Sequence, residues 1–177
     1  MKILKNVLVF LLVVVAGALV ISQFLPDHYR VERSIVIDAR PEQIQPWISN
    51  LKKWPEWSAW TVAKDASLQY SYEGPEEGAG AVSKWESKKF GQGQMTVVGS
   101  DVAKGVTFDL SFEHGKFISR GSLAYAPAGS ATKLIWTMEG NLNRNPLNRF
   151  FGLIMDKMTG PDFEEGLKNL KAKVEHK

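Results

Sequence analysis

Three kinds of hydrophobic pattern follow one another along the chain. Residues 7–25 are continuously apolar except for Ser22 and Gln23. Apolar and polar residues then alternate with a period of two over residues 29–37, and again over residues 68–138. A helical spacing of apolar residues returns in the C-terminal third. These patterns are typical of a membrane-spanning helix, of half-buried strands and of amphipathic helices, respectively.

The first apolar run has two interpretations. Nineteen residues at about 1.5 Å per residue give a helix of roughly 28 Å, close to the thickness of a bilayer's hydrocarbon core. A cleaved signal peptide is the alternative, because residues 16–18 (Ala-Gly-Ala) resemble a small-residue cleavage site. Cleavage after Ala18 would leave Leu19, Val20 and Ile21 at a new, apolar terminus, which favours an uncleaved anchor.

The sequence predicts a division into two parts, an anchor or signal segment over residues 1–26 and one domain over residues 27–177. Lys2 and Lys5 precede the apolar run. Because basic residues favour the cytoplasmic side, the N-terminus is expected in the cytoplasm and the domain on the outer (periplasmic or extracellular) side.

A strand over residues 29–37 is predicted to open the domain. Asp38 or a neighbour can cap a helix that follows, with Pro41 in its first turn, while Pro46 either kinks this helix or marks its true start. A short second helix or a turn then carries three tryptophans spaced three apart, Trp54, Trp57 and Trp60. Trp54 and Trp57 are expected to close the core and Trp60 to contact a ligand, with membrane contact as the alternative for these rings.

Six further strands are predicted between residues 68 and 138, each with one apolar face that another element must cover. The C-terminal third supplies this cover. Gly160-Pro161 is expected to break a first helical stretch, and a second helix then presents one apolar stripe formed by Phe163, Leu167, Leu170 and Val174. The predicted fold class is therefore α+β, a curved antiparallel sheet of about seven strands wrapped on a long C-terminal helix.

Composition excludes several classes of function. Without Lys2 and Lys5, 20 of the 22 basic residues remain against 19 acidic ones, so the domain shows no basic footprint for nucleic acid. The chain has no cysteine, which excludes disulfides and thiolate catalysis. The three histidines, His28, His114 and His176, show no metal-ligand spacing, and the paired Gly-x-Gly motifs lack the context of a dinucleotide site. No cofactor or metal is expected.

Several segments together resemble one known family. They are FLPDHYRVERSIVI (24–37), WPEWSAW (54–60), SYEGPEEGAGAVSKWES (71–87), GQGQMTVV (91–98) and MDKMTGPDFEEGLKNLK (155–171). With these segments the chain resembles the START-like (SRPBCC, helix-grip) superfamily, and within it the membrane-anchored polyketide cyclase/dehydrase-like branch. The resemblance implies a cavity between the sheet and the terminal helix that holds a lipid, a polyketide or another hydrophobic molecule.

The strand parity and the helical register then suggest which side chains face that space. The expected ligand-binding residues are Trp60, Trp85, Phe108, Phe112, Trp136, Met155 and Phe163. For each of them a filled core is the alternative interpretation.

Three functions remain open at this stage. The first is a membrane-tethered module that binds a hydrophobic small molecule or lipid and needs no catalytic group. The second is a cyclase or dehydratase, for which Tyr70, Tyr72, Tyr125 and Asp109 are the candidate acids or bases. The third is a protein-interaction domain with a closed core.

Overall fold

The computed structural model describes residues 2–143 and 145–176, and its order of elements follows the predicted one. An apolar helix comes first, and a strand, a short helix and a 3-10 helix (Leu51–Glu56) precede the remaining six strands and the terminal helix. The helices are α1 (Lys2–Ser22), α2 (Pro41–Ile48) and α3 (Pro146–Glu175). The strands are β1 (His28–Ile37), β2 (Gln69–Glu73), β3 (Val82–Ser87), β4 (Gly91–Asp101), β5 (Gly105–Phe112), β6 (Phe117–Ala128) and β7 (Ala131–Asn141).

All seven strands form one antiparallel sheet in the order β1-β7-β6-β5-β4-β3-β2. Strands β2 to β7 are a meander, and β1 returns to pair with β7. The strand β1 packs closely along α3, which covers the inner face of the sheet. The α+β helix-grip fold predicted from the sequence is therefore confirmed.

Close approach of aromatic rings to glycine recurs at three places on the inner face. In each case the aromatic residue is the direct cross-strand partner of the glycine, and a Cβ on that glycine would overlap the ring. Glycine allows such a close approach, and it commonly marks bends in sheets. The three pairs are Trp85 with Gly93, Phe108 with Gly121, and Tyr29 with Gly140.

The helix α2 begins at Pro41, so Pro46 does not mark its start but lies within it. Arg40 is the N-cap residue, and its backbone N–H donates to the Gln43 side chain at 3.1 Å. Asp38 has another role, since its backbone N–H donates to the carboxylate of Glu175 at 2.6 Å and ties the end of β1 to the end of α3.

The predicted helix break at Gly160-Pro161 is wrong, because α3 runs without interruption from Pro146 to Glu175. The guanidinium of Arg33 explains its continuity. Arg33 bonds to Asp156 at 2.7 Å, one turn before Gly160, and to Glu164 at 2.7 Å, one turn after it. This bridge from β1 ties together the two halves of α3 that the proline would otherwise separate.

The second half of α3 supplies the predicted apolar stripe. Phe163, Leu167, Leu170 and Val174 are all buried in the main hydrophobic cluster. The core therefore lies between this half of α3, the inner face of the sheet, and α2 with the 3-10 helix.

Candidate functional site

Burial changes row by row across the inner face of the sheet. The strand registers place Tyr70, Trp85, Gly93, Phe112 and Phe117 in one continuous row, which we call the mouth row. The first four are partly exposed, and Phe117 is 42% exposed. Side chains two rows further along the sheet are all buried, as in the row Val97, Phe108, Gly121, Met138 and Val31. The inner face is thus closed in its middle and open at the mouth row.

The closed part is an aromatic cluster. Trp136 stacks on Phe163 with their ring centroids 4.1 Å apart. Trp54 and Trp57 pack at 4.8 Å from each other, and each also contacts Trp136. Phe108 meets Trp54 edge-on at 5.4 Å. These five rings are at most 6% exposed, so they fill the core rather than line an open space.

The indole N–H groups of this cluster also have a structural role. The Nε1 of Trp54 donates to the carbonyl of Ile48, and the Nε1 of Trp57 donates to the carbonyl of Trp47, both at 3.1 Å. These carbonyls belong to the last turn of α2, where backbone acceptors lack partners within the helix. The prediction that Trp54 and Trp57 close the core agrees with this structure, and the two rings also cap α2.

Trp60 lies between the core and the mouth row. It is partly exposed, and its ring centroid lies 5.9 Å from Trp136 and 6.3 Å from Phe163. Its backbone carbonyl accepts a hydrogen bond from the hydroxyl of Tyr70 at 3.0 Å. The loop that carries Trp60 is therefore fastened to the mouth row.

The seven residues predicted to bind a ligand fall into two groups. Phe108, Trp136 and Phe163 lie in the closed cluster. Trp60, Trp85, Phe112 and Met155 are partly buried and pack against the main hydrophobic cluster. Trp85 and Phe112 contact each other edge-on at 5.5 Å across Gly93.

Two residues beside the mouth row were not singled out from the sequence. Met95 lies in the next row and is partly buried, between Ser83 and Leu110. Tyr29 shares that row, and its hydroxyl lies 2.6 Å from the hydroxyl of Ser119. The sequence signal that could have found them is spacing by two residues, which places Met95 on the same face as the apolar Val97, and Tyr29 on the same face as the apolar Val31.

The titratable groups at this end are mainly phenols with raised pKa values. Burial raises the pKa of Tyr70 to about 12, and burial likewise raises the pKa of Tyr29 and Tyr72. At neutral pH these phenols are protonated, so they can donate hydrogen bonds but are poor general bases. The mouth therefore combines aromatic surface with neutral hydroxyl groups.

The other two acid–base candidates lie elsewhere. The hydroxyl of Tyr125 donates to Gln45 at 2.8 Å, and burial raises the pKa of this phenol. Asp109 lies on the outer face and forms an ion pair with Arg120 at 2.9 Å. Neither of them faces the mouth row.

Two concavities lie outside the core. A groove of about 560 Å³ runs over the outer face of β2 to β5, and its outward side chains are polar, among them Lys84, Gln92, Gln94 and His114. A smaller pocket of about 170 Å³ lies beside Tyr72, between the 3-10 helix and the β2–β3 turn. Tyr70, Trp85 and Gly93 of the mouth row also line this groove.

Within residues 2–143 and 145–176, no group of three or more His, Asp or Glu side chains could hold a metal ion. His28 lies 3.0 Å from Asp27, and His114 contacts Gln92 at 2.8 Å. Both contacts are exposed.

The N-terminal helix is a candidate membrane span. Residues Ile3–Ser22 have a mean hydropathy of 2.6, and none of the most apolar window is buried against the rest of the molecule. An uncleaved anchor and a signal sequence both satisfy this description.

The guanidinium of Arg149 binds the end of this helix. Its Nη1 donates to the carbonyls of Ser22, Gln23 and Leu25 at 3.0 to 3.2 Å, and its Nε donates to the carbonyl of Asn143 at 3.0 Å. The first turn of α3 is therefore joined to the C-terminal end of α1.

Comparison with known proteins identifies a family that matches this chain. A family profile described as polyketide cyclase / dehydrase and lipid transport matches residues 28–175. No curated protein matches the chain significantly.

Several solved structures share the fold at low sequence identity. A norcoclaurine synthase mutant from Thalictrum flavum aligns with a TM-score of 0.61 at 12% identity, over 83% of this chain and 94% of that one. The di-domain ARO/CYC StfQ of the steffimycin biosynthetic pathway aligns with a TM-score of 0.62 at 8% identity, over 84% of this chain and 51% of StfQ. The Aha1 dimer from Colwellia psychrerythraea gives 0.55 at 18% identity, over 82% and 96%.

The match covers every strand and the whole of α3, and the fold agrees with it. The chain therefore belongs to the polyketide cyclase / dehydrase and lipid transport family of the START-like superfamily.

Proposed function

We propose that this protein is a membrane-tethered module that binds a hydrophobic small molecule or lipid at the mouth row. The observation that carries this proposal is the gradient of burial on the inner face. The partly exposed rings of Trp85 and Phe112 pack against the buried hydrophobic cluster, whose middle is closed. Exposed aromatic surface of this kind is typical of ligand-binding sites, where apolar walls surround a few polar groups.

The residues that hold the ligand are divided by depth. Trp60, Trp85, Phe112 and Met155 form its walls, while Phe108, Trp136 and Phe163 belong to the buried hydrophobic cluster against which those walls pack. The hydroxyl groups of Tyr70 and Tyr29 lie beside them. The Tyr70 hydroxyl donates to the carbonyl of Trp60 and so helps to hold that wall in place, and the Tyr29 hydroxyl lies 2.6 Å from that of Ser119.

Tethering follows from α1. In this proposal residues 1–26 remain in the membrane as an uncleaved anchor, with the N-terminus in the cytoplasm, and residues 27–177 form the domain on the outer side. Asp27 and His28 alone connect the end of the apolar segment at Pro26 to Tyr29 of the first strand's inner face, so the mouth stays close to the bilayer. A ligand that partitions into lipid would then be concentrated where the module binds it.

A binding module is favoured over a cyclase by the acid–base groups. The phenols beside the mouth have raised pKa values, and Asp109 lies on the opposite face of the sheet. The structures of StfQ and norcoclaurine synthase share only the fold at these identities.

Native mass spectrometry of the full-length chain, released from detergent and followed by organic extraction, tests the proposal. A reproducible apolar adduct is the expected result. Trp85→Ala should weaken binding about tenfold or more, because burial of a large ring contributes roughly 1.5–3 kcal/mol.

Ile118→Ala is the matched control. Ile118 is 67% exposed and neighbours Phe117, but it points to the outer face. Its loss should leave the adduct unchanged. A protein that carries no adduct and takes up no member of a panel of fluorescent lipids and quinones would contradict the binding module and favour the closed interaction domain.

A further inference from the structure

The first half of α3 carries an apolar stripe that the described residues of the domain leave exposed. Its residues follow the helical spacing of three and four, and they are 36% to 78% exposed. The stripe consists of Leu147, Phe150, Phe151, Ile154 and Met158.

This stripe lies on the side of α3 that faces away from the core. Ile154 precedes the buried Phe163 by nine residues, and Met158 precedes the buried Leu167 by the same number. Nine residues are two and a half turns of an α-helix, so the members of each pair point in opposite directions. The stripe is therefore separate from the apolar face that packs on the sheet.

The same side of α3 becomes polar beyond Pro161. Glu165, Lys168 and Ala172 continue the direction of the stripe, and all three are exposed. One helix face thus changes from apolar to polar at its middle, and the change is not required by packing within the domain. Half of this face is suited to an apolar environment and the other half to water.

The position of the apolar half identifies that environment. The stripe begins at Leu147, and two residues later Arg149 donates to three carbonyls at the C-terminal end of α1. Phe24, which is 86% exposed, lies in the short segment that joins α1 to β1. The apolar surface is therefore continuous with the point at which a membrane-spanning α1 leaves the bilayer.

The charges near the stripe also favour contact with a membrane. The only acidic residue between positions 144 and 159 is Asp156, which is paired with Arg33 of β1, whereas Lys157 is exposed beside the stripe. Aromatic and aliphatic residues flanked by a basic residue are typical of helices that lie in the membrane interface.

We infer that the first half of α3 inserts its stripe into the outer surface of the bilayer that holds α1. The helix then lies at the headgroup–acyl boundary over residues 147–158, and it rises into water beyond Pro161. This inference rests on the tethering proposed above. It adds that the domain has a fixed orientation on the membrane, since α1 and α3 both contact lipid and are bonded to each other.

The experiment uses the absence of cysteine, which allows single-cysteine variants of the full chain without background labelling. Ile154→Cys carries a fluorophore on the stripe. Ala172→Cys is the matched control, because 18 residues are five complete turns and place it on the same side of α3 in the polar half. Val13→Cys reports on α1. Each variant is reconstituted in vesicles of phosphatidylcholine and phosphatidylglycerol that contain a lipid-borne nitroxide quencher.

We expect the label at position 154 to be quenched from the lipid and protected from aqueous iodide, with the reverse pattern at position 172. The inference would be overturned if the labels at positions 154 and 172 were both quenched by iodide and not from the lipid, while the label at position 13 was quenched from the lipid. The tether would still stand in that case. A label at position 154 shielded from both quenchers would also overturn it, because a protein partner would then cover the stripe. Quenching from lipid at position 154 but not at position 13 would support insertion of α3 and contradict the tether.

Discussion

The guanidinium of Arg33 occupies the space into which a side chain at residue 160 would project. A Cβ added to Gly160 would overlap Nη2 and the central guanidinium carbon, while the same group bonds to Asp156 and Glu164. A single strand residue thus bridges α3 across Gly160-Pro161, and a side chain at position 160 would displace its guanidinium.

We therefore expect Gly160→Ala to lower the free energy of unfolding by about 1–3 kcal/mol, as insertion into a filled site generally does. The cost should become much smaller in an Arg33→Ala background, in which the guanidinium is gone. Chemical denaturation of the four proteins in this cycle gives the coupling energy between residues 33 and 160. Additive effects would mean that the overlap does not determine the role of Gly160.

Trp57 provides a second test, of how α2 is held. Trp57→Phe removes a buried indole and leaves the carbonyl of Trp47 without its donor. We expect a loss of about 2 kcal/mol or more in unfolding free energy, from the cavity and from the unpaired acceptor. Trp60→Phe, at a partly exposed position, serves as the control and should cost less. Equal losses in the two variants would contradict a capping role for Trp57.

The sequence predicted the sheet because alternation of apolar and polar residues is a local signal. The stripe from Phe163 to Val174 was predicted for the same reason. The continuity of α3 could not be predicted locally, since it depends on Arg33, 131 residues before Glu164. Proline and glycine side by side indicate a break unless a distant side chain compensates for it.

For the candidate site, too, local sequence signals did not suffice for the prediction. Phe108 and Phe112 have the same parity on β5, and parity alone placed both at a ligand. The structure separates them, because Phe108 is paired with Gly121 in the closed middle and Phe112 lies in the partly exposed mouth row. Which row a residue joins depends on strand register, and register is fixed by pairing between distant segments.

Asp65 should make stability depend on pH in the acid range. Its carboxylate accepts hydrogen bonds from the Ser87 hydroxyl and from the backbone N–H groups of Ser67 and Lys89. These donors, Ser87 first, hold the pKa of Asp65 well below its ordinary value of 3.8. Because the folded state favours the charged form, this stabilisation is present above pH 3.8 and is lost as the pH falls further.

Asp65→Asn should therefore unfold at a lower temperature than the wild type at pH 7, and the difference should narrow as the pH is lowered below 4. Thermal unfolding followed by circular dichroism at a series of pH values measures this. Glu76→Gln, in the exposed turn after β2, controls for the loss of one negative charge. A constant difference between Asp65→Asn and the wild type at all pH values would show that the carboxylate's charge has no part in it.

Tyr70 should make stability depend on pH in the alkaline range, with the opposite sign. Burial raises its pKa from 10.0 to about 12, and its hydroxyl donates to the carbonyl of Trp60. The folded state thus keeps a proton that the unfolded chain releases above pH 10, and the stability from this phenol falls as the pH rises from 10 to 12. At pH 7, Tyr70→Phe should be less stable than the wild type by about 1 kcal/mol, because it lacks the hydrogen bond to the carbonyl of Trp60. Above pH 10, the stability of this variant should decline less steeply than that of the wild type. Urea denaturation at pH 7, 10 and 11 distinguishes the outcomes. Parallel decline of variant and wild type would mean that Tyr70 ionises as it does in the unfolded chain, and the fastening of the Trp60 loop to the mouth row would then have to depend on other contacts.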